Sequence, residues 1–546
     1  MKSVLSVAIV AIGVLFRLYL YFRNPSFYTD EILLALNVLT RDFAGLLAPL
    51  DLAQVAPVLF LWMQKLSIGI LGPGEASFRL PTLLFGIALL PLVYRCALRF
   101  TGRESAALCT ALAAFSPALL RYSTESKQYG IEPAISAALL LLAAPLLDAE
   151  VPPRRRYFLI AGGVLALALS LPSIFVLGGV WMALALTATQ KHRWKQDFLW
   201  LGAAGALWVA LFAVIYFKLY AYAANSPYMI QFWTPGYLAS QGSLYGALHT
   251  AIKGFLDPVF ALEGKLPTAL LLAAGLILAL GIWTFWERHG SPIPVMLVAP
   301  LVAALGAAAI GKWVFTTRLM LFSVPLTILL LGAGADALCA RFQPQWQRIA
   351  MAVLAVALVA APLRYDAWIL RHPTLDGVRA AVRLGLNRSQ SGDEIYVYAG
   401  ALPGWTFYSV NWSAPEHARV TRLLDAMKQI GPNPGNAPSR GRPVQHEAFD
   451  LQWDLDGKWE IPGIASGVQS TIHGSGPGEP DPGWADNEVS RIRQTGSSTV
   501  FVVVSEYRAP VVEPLLTGLS AAGGTATREF HDNGGALYQV KFLSRH

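Results

Sequence analysis

Long apolar runs separated by short polar loops make up the first two thirds of the chain, whereas the last third has an ordinary mixture of apolar and polar positions. A helix that crosses a bilayer needs about 20 mostly apolar residues. The runs predict a polytopic α-helical membrane protein with about eleven transmembrane helices, at 4–22, 81–98, 104–120, 131–147, 157–172, 174–189, 198–217, 267–286, 293–310, 319–337 and 349–365.

Composition agrees with this pattern. Hydrophobic residues make up 55% of the 546 residues and charged residues only 14%, whereas soluble domains carry about 25% charged residues. The change of composition near residue 365 divides the chain into two predicted domains. Residues 1–365 form the transmembrane domain, and residues 366–546 form a soluble α/β domain in which strand patterns such as "STVFVVVS" alternate with helical ones.

Basic residues predict the orientation in the membrane, because short loops rich in Lys and Arg stay in the cytoplasm. Such loops alternate along the chain, at 95–103, 154–156, 191–195, 288 and 341–348. The first outer loop (23–80), the second large outer loop (218–266) and the C-terminal domain are therefore predicted to lie outside the cytoplasm. These basic loops supply much of the net charge of +8, so no nucleic acid is needed to explain the charge. Membrane lipid is a predicted partner because of the spans.

Ionisable residues gather beside the spans on the predicted outer side. Asp30 and Glu31, in "YTDE", follow the first span, and the others of this kind are Arg79, Glu125, Lys127, Lys312 and Arg318. Ionisable groups at membrane depth are costly and tend to be functional. Cations in this position suit a phosphate, and a carboxylate suits the activation of a hydroxyl.

Ordinary structural roles also account for each of these residues taken alone. Asp30 and Glu31 come just after Thr29, where acidic residues offset the dipole of a starting helix. The three cations Arg79, Lys127 and Arg318 suit anchoring at lipid headgroups. Glu125 stands four residues after Arg121 and suits an ion pair along one helix face.

The order of five short motifs resembles that of the GT-C membrane glycosyltransferases. The motifs are "YTDE", "QVAP", "FRLP", "YSTESKQYG" and "FTTRLM". The nearest group is the protein O-mannosyltransferase-like family 39 with its bacterial lipopolysaccharide-modifying relatives, and the resemblance covers about residues 5–365. The sequence departs from the family pattern at three places. "QVAP" replaces Gln-Pro-Pro, Lys127 replaces an Arg, and a Leu follows Arg318 where the family pattern has a Tyr.

The resemblance implies that a sugar moves, with inversion, from a polyprenyl-phosphate donor to a lipid, glycan or protein acceptor at the outer face of the membrane. The membrane would be a bacterial inner or plasma membrane. Asp30 would activate the acceptor as general base, with Glu31 and Glu125 as supporting acids. The donor phosphate would be bound by Arg79, Lys127 and Arg318. Further substrate contacts would come from Gln54, Tyr129 and Lys312.

Two other functional classes remain open from the sequence. In a transporter or flippase of a lipid-linked or anionic substrate, the same charges would line the substrate path. In a membrane anchor, the α/β domain would carry the binding function. The glycosyltransferase interpretation requires no cofactor, and the carboxylates are compatible with a divalent metal whose ligands the sequence leaves unknown.

Overall fold

The computed structural model describes residues 2–148, 153–262, 266–374, 376–390, 392–398, 401–410, 412, 459–460, 471–473, 484–505, 509–532 and 534–542. The chain divides into two compact units. The helical unit contains Met1–Arg23, Val55–Ala224 and Trp233–His372. The mixed unit contains Asn24–Gln54, Asn225–Phe232 and Pro373–His546. Residues 23–80, predicted as the first outer loop, are thus shared between the units, and residues 24–54 belong with the C-terminal residues.

Helices follow the apolar runs closely. Up to residue 372 they are α1 (Lys2–Arg23), α2 (Thr29–Thr40), α3 (Val58–Leu71), α4 (Glu75–Phe100), α5 (Arg103–Ala114), α6 (Pro117–Tyr122), α7 (Glu132–Ala143), α8 (Pro153–Leu169), α9 (Ser173–Gln190), α10 (Trp194–Ile215), α11 (Ala221–Ala224), α12 (Pro227–Trp233), α13 (Leu244–Phe260), α14 (Thr268–His289), α15 (Pro292–Ala309), α16 (Val324–Cys339) and α17 (Pro344–Arg371). Short 3-10 turns include Gln128–Gly130 and Thr317–Ser323, and a π-helical turn occupies Tyr216–Tyr220.

Nine helical stretches in the described ranges are long and apolar enough to cross a membrane, when an α-helix is taken together with the 3-10 or π-helical turns that adjoin it. They correspond to nine of the eleven predicted spans. The predicted span 104–120 is instead two short helices, because α6 begins at Pro117 and the Ser116 Oγ accepts the Leu119 N–H as its N-cap. The predicted span 157–172 corresponds to α8, which has only 17 residues. The stretch 170–172 separates α8 from α9.

Close helix packing in the helical unit relies on glycine. A Cβ at Gly281 of α14 would overlap the Leu330 carbonyl of α16, and a Cβ at Gly334 of α16 would overlap the Ile277 carbonyl of α14. Small residues that let two backbones approach are typical of helix pairs in membranes, where apolar side chains gain little by leaving lipid.

The mixed unit contains the α/β fold that the C-terminal sequence predicts. Its strands are β1 (Glu394–Val397), β2 (Trp459–Glu460), β3 (Thr471–His473), β4 (Thr499–Val504), β5 (Gly524–Asp532) and β6 (Gly535–Phe542), in the sheet order β2-β3-β1-β4-β6-β5. Strand β1 is parallel to β3 and β4, and β6 is antiparallel to β4 and β5. The helices that accompany the sheet are α18 (Val378–Arg388), α19 (Leu402–Tyr408), α20 (Trp484–Gln494) and α21 (Ala509–Ala521).

Candidate functional site

Hydrogen bonds within the mixed unit hold the Asp30 carboxylate. The Tyr28 hydroxyl donates to Oδ2 at 3.0 Å, and the Gln54 Nε2 donates to Oδ1 at 3.3 Å. Asp30 is half-buried, on the first turn of α2. Gln54, predicted as a substrate contact, thus orients Asp30. Tyr28 also orients Asp30, a role that was not predicted from the sequence.

Glu31 has a different environment from its neighbour. It is fully buried, and its Oε2 accepts the backbone N–H of Tyr28 at 3.4 Å. A glutamate in the first turn that binds the N–H just before the helix satisfies one of the free donors at the helix start. Glu31 therefore has the helix-start role that the sequence offered as an alternative, and it fixes the turn that carries Asp30.

C-terminal residues hold the segment that leads into α2. The Phe27 N–H donates to the Tyr408 hydroxyl at 2.7 Å, and the Phe27 ring packs on the Phe407 ring with centroids 5.3 Å apart. Arg379 Nη2 donates to the Asn24 carbonyl oxygen at 2.9 Å. Phe27 is fully buried. The start of α2, and with it Asp30, is thus fixed by α18 and α19 of the α/β fold.

In the helical unit, the segment between α6 and α7 buries charged side chains. Glu125 Oε1 accepts a hydrogen bond from Arg121 Nε at 2.7 Å, and the two side chains are only 5% and 6% exposed. The predicted pairing of these two residues is therefore present. Lys127 is also buried. A charged pair away from water needs good geometry to offset its desolvation, which this short contact provides.

Polar contacts fix this segment against α3 and α4. Gln64 Nε2 of α3 donates to Ser126 Oγ at 2.7 Å and to the Phe78 carbonyl oxygen at 3.2 Å. Arg79, the next residue along α4, is 1% exposed. Gly130 lies so close to the Tyr122 carbonyl that a Cβ would overlap it. The buried position of Arg79 and Lys127 is thus built into the packing of these elements.

Arg318 lies between two aromatic rings. Its guanidinium carbon is 4.6 Å from the centroid of the Trp233 ring and 5.9 Å from that of Tyr129. Cations attract the faces of aromatic rings, and stacking restricts the rotamers of the arginine side chain. Arg318 is half-buried in the 3-10 turn before α16, whereas Lys312 is exposed. Tyr129, predicted as a substrate contact, thus faces a predicted phosphate ligand.

The predicted site residues fall into two groups. Asp30, Glu31 and Gln54 belong to the mixed unit, and the helical unit contains Arg79, Glu125, Lys127, Tyr129, Lys312 and Arg318. Over the residues that the structure describes, no three His, Cys, Asp or Glu side chains come together as ligands for a metal ion.

Comparison with protein families matches residues 55–217 to a family described as dolichyl-phosphate-mannose-protein mannosyltransferase. The matched stretch includes Arg79, Glu125, Lys127 and Tyr129. Over these residues the match confirms the predicted resemblance to membrane glycosyltransferases and favours it over a transporter. Comparison with curated proteins gave no significant match.

Three similar solved structures have low sequence identity to this chain. The ArnT structure from Cupriavidus metallidurans in the apo state is 15% identical, with a TM-score of 0.47 and 97% of each chain covered. The same protein bound to undecaprenyl phosphate is 14% identical, with a TM-score of 0.45, 98% of this chain covered and 97% of that chain. The Archaeoglobus fulgidus oligosaccharyltransferase complex with Zn and sulfate is 11% identical, with a TM-score of 0.45, 97% of this chain covered and 72% of that chain.

Proposed function

We propose that this protein is a membrane glycosyltransferase that moves a hexose or pentose from a polyprenyl phosphate to a nucleophile on a lipid, glycan or protein. The family match over residues 55–217 carries the proposal. Its description names a mannosyl donor on dolichyl phosphate, which is a lipid-linked sugar phosphate. Cleavage of such a donor supplies the driving force, so the reaction needs no nucleotide.

Cations of the helical unit suit the leaving phosphate. Negative charge grows on the phosphate as its bond to the sugar breaks, and donors fixed in a site of low dielectric stabilise that charge strongly. Arg79 and Lys127 are buried, and Arg318 is held between two rings. We assign the donor phosphate to these three residues. Glu125 would support them by neutralising Arg121 and keeping the segment around Lys127 in place.

Asp30 suits the role of general base toward the acceptor. Its carboxylate is oriented by Tyr28 and Gln54 and is half-exposed. Carboxylates are weak bases near neutral pH, so positioning must supply much of the effect. Attack by the activated acceptor on the face opposite the phosphate would invert the configuration of the anomeric carbon. Glu31 would contribute by fixing the helix start.

A deletion strain of the host tests this proposal. It would be complemented with the wild type, with Asp30→Asn or with the control Asp42→Asn, whose exposed side chain lies just after α2. We expect one sugar to disappear from a surface lipid, glycan or protein in the deletion strain. The wild type and Asp42→Asn should restore it, and Asp30→Asn should lower transfer by about 10²–10⁴-fold, the usual contribution of a general base. Full restoration by Asp30→Asn would refute the assignment of the base. Flux of a lipid-linked sugar into vesicles without product would favour the transporter.

The proposed location is a bacterial plasma membrane, with the α/β fold on the outer face. The three native cysteines are buried, so single introduced cysteines can report sidedness. We expect a cysteine at Asp486, which is exposed on α20, to react with a membrane-impermeant maleimide in intact cells. A cysteine at Arg155, which is exposed on α8, should react only after the cells are opened. The reverse pattern would contradict the orientation.

A further inference from the structure

Arg17 is a buried arginine within the candidate membrane span Val4–Arg23, and it is 0% exposed. Its guanidinium donates to the end of α5, from Nη2 to the Ala113 carbonyl oxygen at 3.1 Å and from Nη1 to that of Ala114 at 3.2 Å. Nη1 also donates to the Gly13 carbonyl oxygen of α1 at 3.0 Å. An arginine near a helix end usually extends its charge toward the membrane surface, whereas this one is enclosed and binds backbone. Ionisable groups retained inside a span tend to be functional.

The two α5 carbonyls need a donor because the chain breaks at this point. Each carbonyl of a continuous α-helix accepts the N–H four residues later. The partner of Ala113 would be Pro117, which has no N–H. The carbonyl of Ala114, the last residue of α5, loses its helical partner because α6 starts anew at Pro117. Carbonyls without a donor are costly at membrane depth, so Arg17 supplies the donors that the break removes.

The face of α1 that carries Arg17 packs along both sides of the break. A Cβ at Gly13 would lie 2.9 Å from that of Ala114, so glycine permits the close approach of α1 to α5. The Phe16 and Phe115 rings are 6.0 Å apart, and Leu20 shares a buried apolar cluster with Leu120 of α6. Residues three or four positions apart share one helix face, so a single face of α1 holds the end of α5, the residue after it and α6.

The helix α6 and the turn after it carry the chain from the break to Lys127. Ser123, the residue after α6, packs so closely on α4 that a Cβ at Gly86 would overlap its side chain. Arg79 lies seven positions before Gly86 and on the same face of α4. The ion pair described above ties the turn back to α6. A change in where α6 begins would therefore move Lys127 relative to Arg79.

We propose that Arg17 is a positioning residue for the donor phosphate: it holds the break between α5 and α6 and so keeps Lys127 in place beside α4. The proposal rests on the proposed function. Stability alone does not account for the arrangement, because an unbroken helix satisfies its own carbonyls and requires no buried charge. The chain instead retains two costly features, a break and an enclosed guanidinium. Together they supply the short α6 and the turn that follows it.

Removal of the break tests whether it serves the phosphate site or only the fold. Arg17→Met removes the donors, and Pro117→Ala returns an N–H that the Ala113 carbonyl can accept. The control Arg23→Met makes the same change at an exposed arginine of α1. Each full-length variant in nanodiscs is examined by thermal unfolding and by its binding of undecaprenyl phosphate.

We expect Arg17→Met to have a lower Tm than Arg23→Met, and the double variant Arg17→Met/Pro117→Ala to recover at least about half of the loss, since the new N–H replaces a missing donor. Affinity for the lipid should not recover. Both variants should bind undecaprenyl phosphate about tenfold or more weakly than the wild type, the loss expected when a hydrogen bond to a charged group is misplaced. Arg23→Met should bind it as the wild type does.

A double variant that regains both Tm and lipid affinity would overturn the proposal, because a continuous helix would then serve the phosphate site equally well. A double variant with the Tm of Arg17→Met would refute the role of Arg17 as a substitute donor. Pro117→Ala alone retains Arg17 and covers the case in which Arg17→Met does not fold. It should bind the lipid about threefold or more weakly at an unchanged Tm, and wild-type affinity would contradict the positioning role. If the wild type itself does not bind undecaprenyl phosphate, the proposed function fails and the positioning role with it.

Discussion

Asp257, on α13, makes the stability of the helical unit depend on pH. Its side chain is 9% exposed, its Oδ2 is 3.5 Å from Lys253 Nζ, and its Oδ1 has no hydrogen-bond partner among the described residues. Burial raises the pKa of Asp257 from 3.8 to about 6, although Lys253 and His249 oppose the rise. Between these two values the carboxyl is ionised in the unfolded chain and protonated in the folded one.

The size of the effect follows from linkage between proton binding and folding. Because the folded state binds the extra proton, stability falls as the pH rises, by up to about 1.4 kcal/mol per pH unit. A rise of the pKa from 3.8 to about 6 gives a total loss of about 3 kcal/mol, complete above about pH 7. Asp257→Asn keeps the shape of the side chain and removes the charge, so this part of the pH dependence should vanish.

Thermal unfolding of the purified protein from pH 4 to 8 measures the difference. We expect Asp257→Asn to gain stability relative to the wild type as the pH rises, and to be the more stable protein at pH 8. Asp148→Asn is the matched control, because Asp148 is 60% exposed beside Arg99 and should give a curve parallel to that of the wild type. Parallel curves for Asp257→Asn and the wild type would show that the carboxyl is not held in its neutral form, and the reasoning from burial would fail.

Three further predictions test other parts of the structure. Tyr408→Phe removes the acceptor of the Phe27 N–H, so it should cost about 1–3 kcal/mol of stability. It should also lower the kcat for transfer more than it changes KM. An unchanged kcat would contradict the link between α19 and Asp30. Gly334→Ala should cost about 1–3 kcal/mol of stability by overpacking. Its Tm should be lower than that of the control Gly306→Ala, whose Cβ would meet no atom within 4 Å. Equal Tm values would refute the close helix contact. Glu125→Ala removes the carboxylate that Arg121 Nε contacts at 2.7 Å in a buried pair. It should cost about 3–5 kcal/mol in denaturant unfolding, and a change below about 1 kcal/mol would contradict this prediction.

Apolar periodicity and local spacing predicted most of the helical unit. The long apolar runs gave the spans, because burial in lipid requires about 20 apolar residues whatever the packing. The spacing of four residues suggested the pair Arg121–Glu125. The pair is present although α6 ends at Tyr122 and Glu125 lies beyond the helix. Such rules fail where the backbone changes direction, as at Ser116 and Pro117, where one predicted span becomes two helices.

Contacts between distant parts of the chain could not be predicted in the same way. Tyr28 and Gln54 both donate hydrogen bonds to Asp30. The contact with Gln54 joins residues that are 24 positions apart, so it depends on the path of the chain between them. Side-chain chemistry is visible in the sequence, whereas the surroundings that give it a role depend on tertiary packing.

The hydrogen bond between Phe27 and Tyr408 has a consequence for biogenesis, because the two residues are 381 positions apart in the chain. At a synthesis rate of about 5–20 residues per second, Tyr408 leaves the ribosome about 20–75 s after Phe27. Until then, the residues before α2 lack the surroundings that fix Asp30, even though the first helix has already been made. The first helix would therefore be made well before the segment that carries Asp30 can be fixed by its distant partner.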